Sequence, residues 1–458
     1  MATTAKAPAA SAKGNIVAII AMFFLFAMIS FVTNLAAPLG TIWKNNYEWS
    51  GMLGNMMNFL AYLFMGIPAG NLLVKIGYKK TALYAMIVGL VGLLFQWFSS
   101  FVGTETAVFS VGTDIVTLNF VIYLLGAFIC GFCVCMLNTV VNPMLNNLGG
   151  GGNTGNQLVQ TGGSFNSLAG TLTPLFVGML IGQVTETTSM SDVNLLLFIA
   201  MAVFVLAFII ISAVSIPEPH LASGKKAAKV KFSHSPWSFR HTVLGVIGIF
   251  LYVGIEVGIP GVLIFYLSDS AASGITENAT AVAGGVAAIY WLLMLVGRLI
   301  SSVISGKVSS RIQLLVVSIV AIFLVCLAIF MPGDIRVSMP AYSAADGFTM
   351  AQVPAKALFL VLCGLCTSVM WGGIFNLAVE GLGKYTAQAS GIFMMMVVGG
   401  GVMPLIQNAI ATSVGYMASY WLVVAMLAYL FFYACIGCKN VNKDIPVDET
   451  DDPDLRDL

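Results

Sequence analysis

Charged residues are scarce in this sequence. Only 9% of its 458 residues are charged and 59% are hydrophobic, whereas about a quarter of the residues in a soluble domain carry a charge. A soluble fold of this length is excluded, because so few charges cannot cover its surface. The apolar residues come in blocks of about 20 residues without a charge, the length that crosses a hydrocarbon core as a helix. The sequence therefore predicts a polytopic α-helical membrane protein.

Signals of enzymes, pumps and metal sites are also missing. All three histidines lie in one polar loop, between positions 220 and 241, so a buried histidine relay is excluded. No G-x-x-x-x-G-K-[S/T] motif occurs, which leaves ATP-driven pumping without support. The pair Cys435 and Cys438 has neither a second cysteine pair nor a His-x-x-His partner. We therefore expect no enzyme activity, no cofactor, no metal site and no nucleic-acid partner.

Twelve apolar spans can be counted, and the basic residues test that count. With the N-terminus in the cytoplasm, sixteen of the twenty Lys and Arg residues fall inside, Arg298 lies within a span, and only Lys44, Arg336 and Lys356 fall outside. The positive-inside rule requires such a split, which supports an even number of spans with both termini cytoplasmic. The predicted spans are 15–41, 51–74, 81–101, 118–142, 157–183, 193–215, 242–267, 279–304, 313–331, 357–380, 387–412 and 418–437.

The longest inside loop divides the chain into two similar halves. The predicted units are a six-helix bundle over 1–215, a cytoplasmic linker over 216–241, a second bundle over 242–438 and an acidic tail over 439–458. Gly170-x-x-x-Pro174 in the first half has an echo in Gly400-x-x-x-Pro404 in the second. Two parallel six-helix repeats are the plan of major facilitator transporters, whose solute site lies at the midplane between them. We therefore expect a protein that moves a small polar solute across a bilayer.

Glu256 is the exceptional acidic residue, because it lies in the middle of the seventh span. Ionisable groups in hydrocarbon are costly and need a partner or a wet cavity. Glu256 is therefore our candidate for proton or cation coupling. The alternatives are a contact to a solute hydroxyl and a structural hydrogen bond across the bundle.

Amide side chains recur inside several spans. An amide both donates and accepts hydrogen bonds, which matches a hydroxyl group that does both. Tryptophan rings supply faces on which a sugar ring stacks. The alternative for each single amide is a helix–helix hydrogen bond. The predicted substrate cavity consists of Asn34, Asn58, Asn138, Gln160, Asn166, Asn376 and Gln407, with Trp291 and Trp371 as stacking faces.

A gate is predicted from two charges near the cytoplasmic ends of spans. Arg298 lies near the inner end of the eighth span and Glu380 at the inner end of the tenth. An ion pair between them would close the cytoplasmic side in one state of the protein. The alternative is that both side chains extend separately to water.

Several segments together resemble the fucose/glucose/galactose:proton symporter branch of the major facilitator superfamily, over nearly the whole chain. The resemblance implies twelve helices in two bundles, alternating access and symport of a monosaccharide with protons. It also implies a monomer that spans a bacterial inner membrane. The segments are Ile67-Pro68-Ala69-Gly70, Gly77-Tyr78-Lys79-Lys80, Asn142-Pro143, Ser164-Phe165-Asn166-Ser167, Tyr252 to Val257, Gly297-Arg298, and Gly399-Gly400 with Pro404.

Three positions depart from the pattern of that branch. The family usually has acids where this chain has Asn34 and Asn138, and a Gln where it has Gly163. An amide does not take up and release a proton near neutral pH, so the resemblance does not carry proton coupling to these two positions. Coupling through Glu256, coupling to sodium and uncoupled facilitation stay open. Another small polar solute, such as an amino sugar, is the alternative to a neutral hexose or deoxyhexose.

Overall fold

Twelve long helices, with a short one over Ser270–Ser273, make up most of the part of the chain that the structure describes. The computed structural model describes residues 12–50, 53–149, 152–181, 189–216, 218, 234–276, 279–305, 307–343 and 347–447. The helices in these ranges are α1 (Ala12–Asn46), α2 (Leu53–Ile76), α3 (Tyr78–Phe98), α4 (Leu118–Leu148), α5 (Gly152–Ile181), α6 (Asn194–Ala213), α7 (Arg240–Ser268), α8 (Ala279–Ile304), α9 (Ser310–Phe330), α10 (Ala355–Thr367 and Met370–Val379), α11 (Thr386–Met396 and Gly399–Val414) and α12 (Tyr416–Phe432, continued by the π-helical turn Tyr433–Gly437).

Eleven of these helices contain stretches long and apolar enough to cross a membrane, as far as the described residues go. The twelfth, α5, takes the place of the fifth predicted span. It has 30 residues, but five of them are Asn or Gln and six are Gly. Such a composition lowers the hydropathy of a helix and suits a position against protein rather than lipid. The predicted all-helical bundle is therefore confirmed, with α5 as its most polar member.

Two β-hairpins were not predicted. Strand β1 (Ala107–Val111) pairs antiparallel with β2 (Asp114–Thr117) between α3 and α4. Strand β3 (Arg336–Ser343) pairs antiparallel with β4 (Gly347–Pro354) between α9 and α10. Because successive helices reverse direction, both hairpins lie on one side of the bundle, which we call the hairpin side. The described chain begins and ends on the opposite side, which we call the terminal side.

One contact is repeated in the two halves, α1–α6 and α7–α12. Lys79, the second residue of α3, donates from Nζ to the carbonyl oxygen of Val214 after α6, at 2.8 Å. Arg311, the second residue of α9, donates from Nε to the carbonyl oxygen of Ala434 after α12, at 2.9 Å. Each cation satisfies a carbonyl that a helix end leaves free and interacts favourably with the helix dipole. The repeat agrees with two related halves. The predicted linker 216–241 and tail 439–458 lie largely outside the described residues.

Two helices of the second half are interrupted near their middles. The helical hydrogen bonding of α10 is interrupted at Ser368 and Val369, and that of α11 at Val397 and Val398. Just after the second break, a methyl group at Gly399 would lie 1.9 Å from the carbonyl oxygen of Phe250 in α7. Glycine is therefore required where α11 crosses α7. Between the halves, α2 packs against α11 and α5 packs against α8.

Candidate functional site

An ion pair lies where α5, α7 and α8 meet. Glu256 sits near the middle of α7, and its Oε1 lies 3.3 Å from Nη2 of Arg298 in α8. The side chains of Arg298 and Glu256 are only 11% and 16% exposed. Burying two opposite charges is tolerated when each finds its partner and further hydrogen bonds, whereas a lone buried charge is strongly destabilising. The pair therefore explains how the second half holds an acid at this depth.

Arg298 also binds the first half of the protein. Its Nη1 donates to the carbonyl oxygen of Gly163 at 2.6 Å and to Oγ of Ser167 at 2.9 Å, both in α5. A guanidinium group can make these bonds and the carboxylate contact together because its five N–H donors form a rigid fork. Arg298 thus connects α5 of one half with α7 of the other.

The residue at position 163 matters for this contact. A methyl group at Gly163 would lie 3.4 Å from Cδ of Arg298, which is the edge of ordinary van der Waals contact. A glutamine, which the resembled branch usually carries at this position, would extend into the space that the arginine occupies. The glycine at position 163 therefore leaves room for the Arg298 side chain beside α5.

The predicted gate between Arg298 and Glu380 is not formed. The Arg298 side chain extends toward the middle of the bundle, where it contacts Glu256. Glu380 is exposed at the end of α10, and its carbonyl oxygen accepts a hydrogen bond from Nε2 of His241 at 2.9 Å. A buried guanidinium needs a partner close by, and Glu256 is that partner.

Aromatic side chains flank the ion pair in the second half. Tyr252 precedes Glu256 by four residues and lies on the same face of α7. Its ring centroid is 6.1 Å from that of Trp371, the second residue after the break in α10. The buried Tyr252 hydroxyl interacts with the Glu256 carboxylate, one turn further along α7. The predicted stacking residue Trp371 and the Tyr252 phenol therefore lie beside the charged pair.

Three of the predicted amides are engaged within the first half. Asn34 donates to the carbonyl oxygen four residues earlier in α1, at 2.8 Å. Asn138 of α4 donates to the Tyr62 hydroxyl of α2, at 2.8 Å. Asn166 of α5 donates to the Phe26 carbonyl oxygen of α1, at 3.1 Å. The last two are the helix–helix hydrogen bonds that the sequence left open as an alternative.

The structure distributes the other predicted residues over several environments. Gln160 is 6% exposed and Gln407 is fully buried. Gln407 packs against Gly258, on the face of α7 opposite Glu256, and neither of its amide atoms has a partner in the described structure. Trp291 is half-buried and packs edge-on against Tyr290, with 5.5 Å between ring centroids.

Asn376 and Asn58 complete the predicted set. Asn376 is half-buried in the second segment of α10. Asn58 is 5% exposed and lies in the interior of the first half. A methyl group at Gly131 would lie 2.3 Å from the backbone carbonyl oxygen of Asn58. The structure therefore does not bring Asn58 to the ion pair.

Ser167 and Tyr252 are residues of the site that sequence reasoning did not single out. Each lies in a segment that carries the family resemblance, but neither is unusual in a membrane helix by composition alone. The sequence carried only an indirect signal for this site. The glycine at position 163 removes a side chain, and a long cation in a facing helix, Arg298, fills the space.

Comparison with known proteins adds to this geometry. A family model described as the Major Facilitator Superfamily matches residues 19–402. The chain belongs to the major facilitator superfamily. Members of this superfamily are transporters, so the expectation that the protein is not an enzyme is confirmed. The predicted resemblance and fold class are confirmed with it.

Individual relatives cover almost the whole length of this superfamily member. A glucose/galactose transporter of Brucella abortus is 31% identical over 427 residues, which is 92% of this chain and 93% of the relative. A putative glucose/galactose transporter of Helicobacter pylori is 29% identical over 441 residues, 92% of this chain and 96% of the relative. A crystal structure of the fucose:proton symporter of Escherichia coli superposes with a TM-score of 0.70 at 19% identity, covering 92% of this chain and 98% of the other. The superposition shows a shared fold.

Proposed function

We propose that the protein imports a neutral monosaccharide, a hexose or deoxyhexose, by alternating access across a bacterial inner membrane. The observation that carries the substrate class is the 31% identity to a glucose/galactose transporter over 92% of the chain. Alternating access requires two halves that rock about a central site. The contact of Arg298 with α5 and with Glu256 lies at such a boundary between halves.

The chemistry around the boundary suits a sugar. Hydroxyl groups donate and accept, as do amides and phenols, and the apolar face of a sugar ring stacks on aromatic rings. The Tyr252 hydroxyl beside Glu256 and the half-buried ring of Trp371 offer both kinds of contact. Asn34 and Asn138 remain candidates, since an amide that bonds through its NH2 group keeps its oxygen for a ligand. Gln160 also remains a candidate.

Glu256 is the proposed coupling residue. Ionised Glu256 attracts Arg298, which in turn holds α5. A proton on Glu256 removes the charge attraction, so the connection between the halves weakens when the proton binds. This single titratable pair would replace the acids that the related branch carries in helices one and four. A sodium-coupled transporter and an uncoupled facilitator are the competing mechanisms, and an amino sugar is the competing solute.

Uptake of labelled glucose and galactose into proteoliposomes tests the proposal. We expect an inward proton gradient to drive accumulation of the sugar. The Glu256→Gln variant should no longer accumulate the sugar but should still let it equilibrate across the membrane. Glu380→Gln makes the same chemical change at an exposed site and serves as the control that retains accumulation. Equal initial rates of sugar uptake with a proton gradient, a sodium gradient and no gradient would rule out coupled transport. A rise in the thermal unfolding midpoint with amino sugars, and none with hexoses, would rule out a neutral monosaccharide as the substrate.

A further inference from the structure

A small polar cavity lies inside the first half, apart from the ion pair. It is enclosed by α1, α2, α3 and α4, close to the hairpin side. Helix packing around it is tight, since a methyl group at Gly54 would lie 2.4 Å from the Tyr123 hydroxyl and one at Gly126 would lie 2.8 Å from the Gly92 carbonyl oxygen. The space therefore has the scale of a single small molecule. Its wall includes the apolar Val32, Leu35 and Leu93 and the polar Asn58, Gln96 and Tyr123.

Three polar atoms of this wall have no partner. Oδ1 of Asn58, Oε1 of Gln96 and the Tyr123 hydroxyl are buried and make no hydrogen bond within the described residues. The three side chains are 5%, 5% and 1% exposed. A buried polar group without a partner is destabilising, so three around one cavity point to a guest. The groups belong to α2, α3 and α4, and a shared guest would connect all three helices.

The hydrogen-bonding capacities of the three groups identify the guest. The two amide oxygens only accept, and the NH2 group of Gln96 is already directed at Sγ of Cys130, 3.6 Å away. The phenol of Tyr123 has a proton to donate. The matching guest donates twice and accepts once. A cation would leave the phenol proton without an acceptor, an anion would face two carbonyl oxygens, and a sugar is too large.

We propose that one water molecule binds in this cavity, donating to Asn58 and Gln96 and accepting from Tyr123. Buried waters of this kind make about three hydrogen bonds to groups that are otherwise unsatisfied. The water fastens α2, α3 and α4 to one another, so that they move as one body whatever solute the protein carries. The inference is independent of the proposed transport function.

An experimental density map of the unmodified protein tests the proposal directly. We expect a peak within about 2.7–3.2 Å of all three oxygen atoms. Direct hydrogen bonds among the three side chains, or an empty cavity, would overturn it. The thermal unfolding midpoint in sodium chloride should equal that in choline chloride at the same ionic strength. If sodium alone raised the unfolding midpoint, and this rise were absent in Gln96→Leu, the site would bind a cation and the proposal of a water molecule would be wrong.

Stability measurements on variants form a second test. Asn58→Leu, Gln96→Leu and Tyr123→Phe should each lower the unfolding midpoint, because each leaves the remaining groups incompletely bonded. The triple variant should lose less than the sum of the three shifts, because an apolar cavity no longer needs a guest. Strict additivity would contradict a shared guest, since additivity is the rule for independent sites.

A matched set of variants controls for general effects of removing polar groups. Thr139, Ser318 and Thr412 each donate to a carbonyl oxygen of their own helix. Thr139→Val, Ser318→Ala and Thr412→Val should therefore give small shifts that add. If the midpoint shifts of this set deviated from additivity by the same amount, the deviation in the first set would no longer support a shared guest.

Discussion

At the scale of the residue, this chain lacks two acids that the family resemblance implies and keeps two charges, Glu256 and Arg298, in segments that carry the resemblance. Asn34 and Asn138 stand where acids are usual, and both amides donate hydrogen bonds inside the first half. The buried charges are instead Glu256 and Arg298 in the second half, and Arg298 extends across to α5. The proposed proton coupling therefore rests on Glu256 alone among these positions.

Gly163 gives a prediction at this scale. Gly163→Gln places a long side chain where Arg298 runs, so Arg298 loses its bonds to α5. Hydrogen bonds to a charged group are worth about 1.5–3 kcal/mol, so we expect the initial rate of sugar uptake to fall about 10-fold or more. Gly163→Ala adds only a methyl group at 3.4 Å from the arginine and should stay close to the wild-type rate at equal protein level. An unchanged rate in Gly163→Gln would contradict the role of this contact.

At the scale of the element, the interruptions in α10 and α11 set the second half apart. Trp371 follows one interruption and Gly399 the other, and both helices pack on α7, which carries Glu256. A helix with a local break can adjust the angle between its two parts, and membrane proteins tolerate such breaks where neighbouring helices satisfy the freed backbone groups. Directly after the break in α11, Gly399 closely approaches the Phe250 carbonyl oxygen of α7.

Gly399→Ala tests that approach. The added methyl group would lie 1.9 Å from the Phe250 carbonyl oxygen, so α11 has to move away from α7. Overpacking of this kind costs about 1–3 kcal/mol, and the thermal unfolding midpoint in detergent should fall. Gly284→Ala is the matched control in α8, because nothing lies within 4 Å of its added methyl group. A fall of equal size in both variants would show that the close approach is not what matters.

At the scale of the whole molecule, the two sides of the bundle differ. The hairpins cover one side, and the contacts of Lys79 and Arg311 with helix ends mark the other. The distribution of basic residues predicts that the terminal side faces the cytoplasm. The hairpins would then face outward, where a solute enters.

Cysteine labelling measures this orientation. Ser110→Cys lies on an exposed strand of the first hairpin, and Lys443→Cys is exposed on the terminal side. In spheroplasts, a membrane-impermeant maleimide should label the first variant above the background of the native cysteines. The second should be labelled only after permeabilisation. The reverse pattern would invert the orientation, and labelling of both in intact spheroplasts would contradict an even number of spans.

The sequence by itself determined the number and order of the long helices and the class of the protein, whereas α1 and α4 are longer than the predicted spans. These are local properties, since a run of apolar residues of sufficient length forms a spanning helix wherever it occurs. The sequence also located Glu256 at mid-depth, because depth follows from position within a span. The hairpins escaped this reasoning, since each lies within a single loop between two helices and the apolar spans carry no signal for strand pairing there.

Only the tertiary structure decided which side chains meet. A membrane helix is apolar on the faces toward lipid and on those toward other helices, so its sequence encodes its rotation weakly. The sequence therefore paired Arg298 with Glu380 by their nearness to the same membrane side, whereas helix rotation and depth pair it with Glu256 and α5. Rotation also places Gln407 on the opposite face of α7 from Glu256 and turns Asn58 into the interior of the first half.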